Sequence, residues 1–213
     1  MDVIERNILN NDLYFILSLF SFLFIALLRG FYWKFTKLLL KGTVDRRFAN
    51  QYLREENVFT ERVNILTFIL ILINFSLFFF KITQEDIPNK FFLIVVIISI
   101  YYILKYAFIL LLGKVFLLES ASQLAWFFSM LYDRSLSIII FPFIVLIYFS
   151  SIPIVEFLIY FTCLFFLFFQ ILKVAFIWRI GSTNFHFSSI YIFLYLCILE
   201  VFPFLYVGKI IMR

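Results

Sequence analysis

The sequence is poor in the residues that most often carry chemistry: 1 His, 2 Cys, 5 Gly and 4 Pro among 213 residues. A single histidine, His186, excludes a His-based metal cluster and a paired-histidine acid–base device. Cys163 and Cys197 both sit inside apolar runs, so they read as small buried hydrophobes and not as a disulfide framework or a metal site. The few glycines and prolines exclude collagen-like and linker-like chains. There is no glycine-rich phosphate loop, no serine nucleophile flanked by glycines, and no Cys–His pairing. The adjacent acids Glu55/Glu56 and Glu85/Asp86 lack metal-ligand spacing. These absences predict a protein that is not an enzyme and carries no cofactor. Charge is scarce too, at 15% of residues against about 25% in soluble domains.

What fills the space is apolar. Hydrophobic residues make up 65% of the chain and aromatics 23%, with 34 Phe. Disorder requires the reverse balance. The expected fold class is all-α, a polytopic transmembrane helix bundle of about six spans plus interfacial cytoplasmic helices, forming one integral membrane domain over residues 1–213. Runs near the ~20 apolar residues a helix needs to cross hydrocarbon lie at about 12–29, 63–80, 91–112, 135–152, 154–178 and 187–207. Thr60, Asn89 and Asp133 or Ser135 are positioned as start signals for the second, third and fourth, and Pro153 opens the fifth. Pro142 should kink the fourth. Residues 150–153 leave room only for a tight hairpin between the fourth and fifth. The first span reads as a retained anchor, because Asp2, Glu5 and Asp12 precede it and no small-x-small site follows Ala26.

The net charge of +5 reports orientation and not nucleic-acid binding. Thirteen of the 18 Lys and Arg fall on the side of the first, third and fifth connections. Acidic residues divide almost evenly, so the asymmetry belongs to the cations alone. That side is expected to be cytoplasmic, with both termini outside. The cytoplasmic connections, about 30–62 and 113–134, are too short to fold as independent domains. In the first, Lys34, Lys37 and Lys41 share a helical face, opposite Tyr32, Phe35 and Leu39 with Trp33 on the flank. Gly30 offers a break, and a second short helix capped by Asp45 carries Arg46 and Arg47. Trp33, Lys34, Lys37, Lys41, Arg46 and Arg47 are therefore candidates for contact with anionic head groups or for docking other membrane or envelope proteins. Residues 115–131 are too polar for a comfortable span and too apolar for a free loop. They are expected to form an in-plane helix, the alternative being a seventh crossing.

Charge at membrane depth is a functional hypothesis by default. Lys105 and Lys173 lie towards the cytoplasmic ends of their spans and are expected to snorkel to water as anchors. Glu200 cannot snorkel, because it sits about 20 Å into the last span by helical rise. Pro203 loosens the backbone nearby. Glu200 and Pro203 are thus the candidate intramembrane site. Asn74, Ser76, Thr162 and Gln170 are expected to supply hydrogen bonds between helices.

The run Tyr195-Leu-Cys-Ile-Leu-Glu200-Val-Phe-Pro203, with the opening Ile4-Glu5-Arg6 through Asp12 and the span layout, resembles a domain-of-unknown-function family of multipass inner-membrane proteins from Bacteroidota. The resemblance implies a Gram-negative inner membrane with periplasm on the outside. It carries over no catalytic or binding residue, but it draws interest to Glu200 and Pro203. Together these readings predict a non-enzymatic integral subunit or accessory scaffold of an envelope assembly, for example secretion or transport machinery. The alternative is a small transporter or proton-conducting component using Glu200. A lipid-modifying enzyme depending on His186 or Glu200 stands behind both.

Overall fold

The computed structural model describes residues 8–55, 57–83, 88–115, 119–150 and 152–184. Among them there are seven helices and no strands: α1 (Ile8–Phe31), α2 (Trp33–Gly42), α3 (Arg46–Arg54), α4 (Val58–Ile82), α5 (Pro88–Val115), α6 (Glu119–Phe149) and α7 (Ile152–Asn184). Five of them are long and apolar enough to cross a membrane, at Asp12–Phe31, Val58–Ile82, Phe91–Val115, Ser122–Phe149 and Ile154–Arg179. These take in the first five expected spans. The sixth, 187–207, lies outside the described residues, as do Glu200, Pro203 and His186.

α4 and α6 form the centre, with 56% of each span window buried against 22% for α1 and α5 and 11% for α7. α6 packs on α4, α5 and α7, and α1 packs on α4. Their contact is aromatic-rich. Tyr14 on α1 meets Phe80 on α4 at 5.1 Å and Tyr148 on α6 at 5.3 Å, and Phe75 meets Phe166 on α7 at 5.4 Å. Close approach of the helices uses serine where glycine is absent: Ser21, Ser76, Ser129, Ser135 and Ser137 are all fully buried. A side chain this small lets backbones come together in lipid, where packing replaces the hydrophobic drive.

The structure corrects the expected in-plane segment at 115–131. From Glu119 onward these residues are the first half of α6, which continues through Asp133 to Phe149 as one helix of 31 residues. Its length of about 46 Å exceeds the ~30 Å hydrocarbon thickness. Near its start Gln123 is exposed while Ser122 is buried, and the stretch long and apolar enough to cross runs from Ser122 to Phe149. Asp133 is not a helix cap but a buried residue of the helix interior. Pro142 is accommodated inside the same helix.

At the other break, α1 passes through Gly30 and yields at Tyr32. α2 and α3 then fold back as a pair. Asp45 caps α3 as expected, its carboxylate accepting from the Arg47 amide at 2.9 Å. Asn57 caps α4 in a capping box with Thr60, so Thr60 lies one turn inside the helix and not before it. Gly42 sits where a Cβ would lie 3.1 Å from the Ala49 Cα. Gly42→Ala should therefore force α2 and α3 apart, costing about 1 kcal/mol. The check is a lower thermal midpoint in detergent together with faster proteolysis within residues 30–57.

Candidate functional site

α5, α6 and α7 each contribute one ionisable side chain to a single buried cluster. The Asp133 carboxylate accepts from Lys173 Nζ at 2.8 Å on one oxygen and lies 3.4 Å from Lys105 Nζ on the other. All three side chains are 3% exposed or less. Lys105 Nζ also lies 5.6 and 5.9 Å from the ring centroids of Tyr101 and Tyr102, within reach of a cation–π attraction. Lys105 is ten residues from the end of α5 and Lys173 eleven from the end of α7, so the cluster lies about 15 Å inside that end of the bundle.

This corrects the snorkelling expectation. A lysine at that depth extends to water only when nothing nearer compensates its charge. Here a carboxylate on the central helix stands between the two flanking helices and draws both ammonium groups inward. Arrangements of this kind cost desolvation that their mutual attraction offsets only when geometry and hydrogen bonding are good.

Next to the cluster, Arg134 Nη1 donates to Asn64 Oδ1 at 2.6 Å, and the Tyr52 hydroxyl of α3 donates to the same oxygen at 2.8 Å. Burial pushes the Tyr52 phenol up to about 12, against the pull of Arg134, so it stays a neutral donor. Tyr132 on α6 donates to the Thr43 carbonyl at 2.7 Å, and Ser135 to the Leu39 carbonyl at 3.3 Å. Leu38 and Leu39 on α2 and Tyr52 on α3 pack with Leu28, Val63 and Leu70. Ala49 packs with Ile109, Phe128, Leu131, Tyr132 and Ile177. The α2–α3 pair is therefore a cap fastened onto the bundle end directly over the charged cluster.

A second polar junction lies deeper. Asn74 on α4 donates through Nδ2 to the Ser137 carbonyl of α6 at 2.8 Å and accepts from Ser21 Oγ of α1 at 2.5 Å. Thr162 bonds back to the Leu158 carbonyl of its own helix at 2.6 Å, so it joins no other element through that bond. The Ser76 hydroxyl and Gln170 Oε1 have no hydrogen-bond partner among the described residues. Of the four expected linkers, Asn74 is the one with bonds of that kind.

The sequence-derived surface candidates come together on the cap. Lys34, Lys37, Lys41 and Arg47 are exposed, and Arg46 is half-buried. The apolar face of α2 is turned inward, but it runs through Thr36, Leu38 and Leu39; Trp33 stays 48% exposed with the Arg29 guanidinium 5.8 Å from its ring. Lys34 pairs with Glu55 at 2.9 Å across the cap. The Glu55 carboxyl is held below the usual range, first by its hydrogen bond from Gln51 and then by Lys34. Among the described residues no group of three or more His, Cys, Asp or Glu could hold a metal.

Two arrangements thus stand out: a buried Lys–Asp–Lys cluster linking three long helices, and a basic face outside it. Sequence reading missed the first. Its signal was available, since Lys105, Asp133 and Lys173 each have long apolar flanks on both sides. Asp133 was misread because an acid between two apolar runs has the form of a helix start.

No curated protein and no solved structure matches the chain. A family model described as a domain of unknown function (DUF4271) matches residues 14–211, a stretch that takes in the cluster, the Asn74 junction, the basic cap and Glu200, and the chain accordingly belongs to the DUF4271 family.

Proposed function

We propose that the protein is a non-enzymatic integral subunit or accessory scaffold of a bacterial envelope assembly, held in the inner membrane with the α2–α3 cap in the cytoplasm and both termini in the periplasm. The observation that carries this reading is the cap itself. Its apolar side is fastened to the bundle by Tyr132, Ser135 and Ala49, while Lys34, Lys37, Lys41 and Arg47 point away from it. A surface fixed in this way presents charge with little entropy left to lose on binding, which favours docking. Anionic head groups of the cytoplasmic leaflet and acidic partner proteins are the chemistry it suits. The orientation rests on the positive-inside bias.

The test is purification of the native protein in mild detergent beside a Lys34→Glu/Lys37→Glu/Lys41→Glu variant. Wild type is expected to retain partner proteins and the variant to hold them on the order of tenfold more weakly, with its own folding intact. A lone monodisperse wild-type protein, or an unchanged partner set in the variant, defeats the proposal. A reporter fused after Arg213 that is active only in the cytoplasm defeats the orientation.

A second reading, a small transporter or proton-conducting component, is favoured by the depth of the Lys105–Asp133–Lys173 cluster, since ionisable groups inside spans mark ion and proton routes. It predicts that Glu200→Gln abolishes flux while the protein still assembles, whereas a scaffold keeps assembling and has no flux to lose.

A further inference from the structure

One exposed row runs along α1 and across its join with α2. On α1 it consists of Phe15, Leu19, Phe22 and Ala26, three or four residues apart and therefore on one helical face. It continues through Arg29, Trp33, Lys37 and Lys41, again about one turn apart and all exposed. The join at Tyr32 does not interrupt it, because the Tyr32 amide still donates to the Leu28 carbonyl at 3.1 Å and the Thr36 amide to the Tyr32 carbonyl at 3.0 Å. The Arg29 guanidinium accordingly lies 5.8 Å from the Trp33 ring across the join. Along the helix axis the row is first apolar, then an indole flanked by cations, then cationic. A phospholipid has the same order of acyl chains, ester region and phosphate, and tryptophan settles at the level between chains and head group.

The cations of the row are available. Lys34, beside it, is paired with Glu55, but Arg29, Lys37 and Lys41 take part in no ion pair among the described residues. Arg29 and Lys37 each stand about 6 Å along the axis from Trp33, so one phosphate at the edge of the indole is within reach of both long side chains. Beside the row the surface is apolar. Phe31 is 79% exposed, and Phe59 at the start of α4 stacks on Phe35 at 6.1 Å while remaining 53% exposed. An acidic protein surface would meet these rings with charge, whereas the interfacial layer of a bilayer takes aromatic rings and cations together. We infer that Arg29, Trp33 and Lys37 seat one acidic phospholipid of the leaflet at the cap end of the bundle, its chains along the apolar row of α1 and its phosphate between the two cations. The inference rests on reading the long helices as membrane spans and the basic face as a docking surface, and it selects lipid over protein as the occupant of this end of that face.

Trp33 itself is the reporter. The full-length protein carrying Trp126→Phe and Trp178→Phe keeps Trp33 as its one tryptophan and is reconstituted into phosphatidylcholine vesicles. Phosphatidylglycerol with brominated chains is expected to quench Trp33 emission half-maximally at a mole fraction on the order of fivefold lower than brominated phosphatidylcholine does. Adding Arg29→Gln and Lys37→Gln, both at exposed positions, is expected to bring the two lipids within about twofold of each other. Equal quenching by both lipids in the protein with Arg29 and Lys37 intact, or a preference that survives their replacement, overturns the site. Quenching by neither lipid also overturns it and leaves the face to an acidic protein. Vesicles of purified protein contain no partner. Absence of the lipid preference while partner proteins are still retained therefore overturns the lipid site alone, and a preference shown by a protein that purifies without partners overturns the scaffold reading alone.

Discussion

Asp133→Asn is expected to cost this bundle more than any other single substitution, about 3–5 kcal/mol, and to leave little folded protein after extraction into detergent. Asparagine nearly preserves the shape of the side chain, so packing against α5 and α7 is retained and the loss is electrostatic. Removing the carboxylate takes from Lys105 and Lys173, both buried, the anion that they approach from opposite flanks of α6. Single changes of the lysines should cost less. Lys173→Met removes the 2.8 Å contact and leaves Asp133 with Lys105; Lys105→Met removes the longer 3.4 Å contact and should be the milder of the two. The order Asp133→Asn, Lys173→Met, Lys105→Met is what a scan of unfolding in increasing denaturing detergent should return.

The triple variant Lys105→Met/Asp133→Leu/Lys173→Met sharpens the point. Replacing every member of a buried ionic cluster by apolar groups of similar volume is often neutral or even stabilising. The triple variant should therefore be closer to wild type than Asp133→Asn is. If it is as unstable as the single variant, the cluster contributes through packing and not through charge. If it is stable but the protein no longer supports its assembly, the cluster serves function at the expense of a plain apolar core.

The same residues show what the amino-acid sequence reveals and what it hides. The first three long helices were legible because their apolar runs are near-continuous; the expected start signals, Thr60 and Asn89, fall a few residues inside α4 and α5, which begin at Val58 and Pro88. α3 was legible through Asp45. α6 was not, because helix propensity and hydropathy are local quantities, whereas the residues that let Asp133 stay inside a helix come from α5 and α7, 28 and 40 positions away. Lys105 and Lys173 were misassigned for the same reason: depth alone places a lysine, but only a partner decides whether it turns outward or inward. The basic face of α2 was visible from its spacing. That its opposite face is fastened down by Tyr132 and Ser135, about ninety positions later, was not.

These positions also connect the two arrangements of the site. Tyr132, Asp133, Arg134 and Ser135 are consecutive on α6, and all four are used: Tyr132 and Ser135 hold α2 and its following turn, Arg134 shares Asn64 with Tyr52 of α3, and Asp133 holds the two lysines. One turn of helix therefore couples the interior charge to the seat of the basic cap. A disturbance of the cluster is expected to reach the cap through α6, and the cap's exposed face is where it would be read.

Asn74 carries the second large expected effect. It is fully buried on α4, and its two bonds run to different helices, to Ser21 on α1 and to the Ser137 carbonyl on α6. Ser18, the other buried serine of α1, bonds within its own helix to Phe15. Hydrogen bonds between helices in lipid average about 0.6 kcal/mol and reach about 1.7. Asn74→Ala loses two of them, strands the Ser21 hydroxyl in an apolar interior and leaves a cavity, for a total of about 2–3 kcal/mol. Asn74→Leu fills the space but still strands Ser21, so it should recover only part of that loss. Adding Ser21→Ala to Asn74→Leu removes the stranded hydroxyl as well and should recover more. The measurement is the detergent thermal midpoint of the three variants, with cysteine cross-linking between α1 and α4 as a reporter of their separation. Ser21→Ala bringing no recovery in the Asn74→Leu background would mean that Asn74 acts as bulk and that α1 is held by its apolar and aromatic packing, Tyr14 against Phe80 and Tyr148 included. Recovery would make this junction the polar tie of the peripheral first helix, distinct from the ionic cluster that ties α5, α6 and α7.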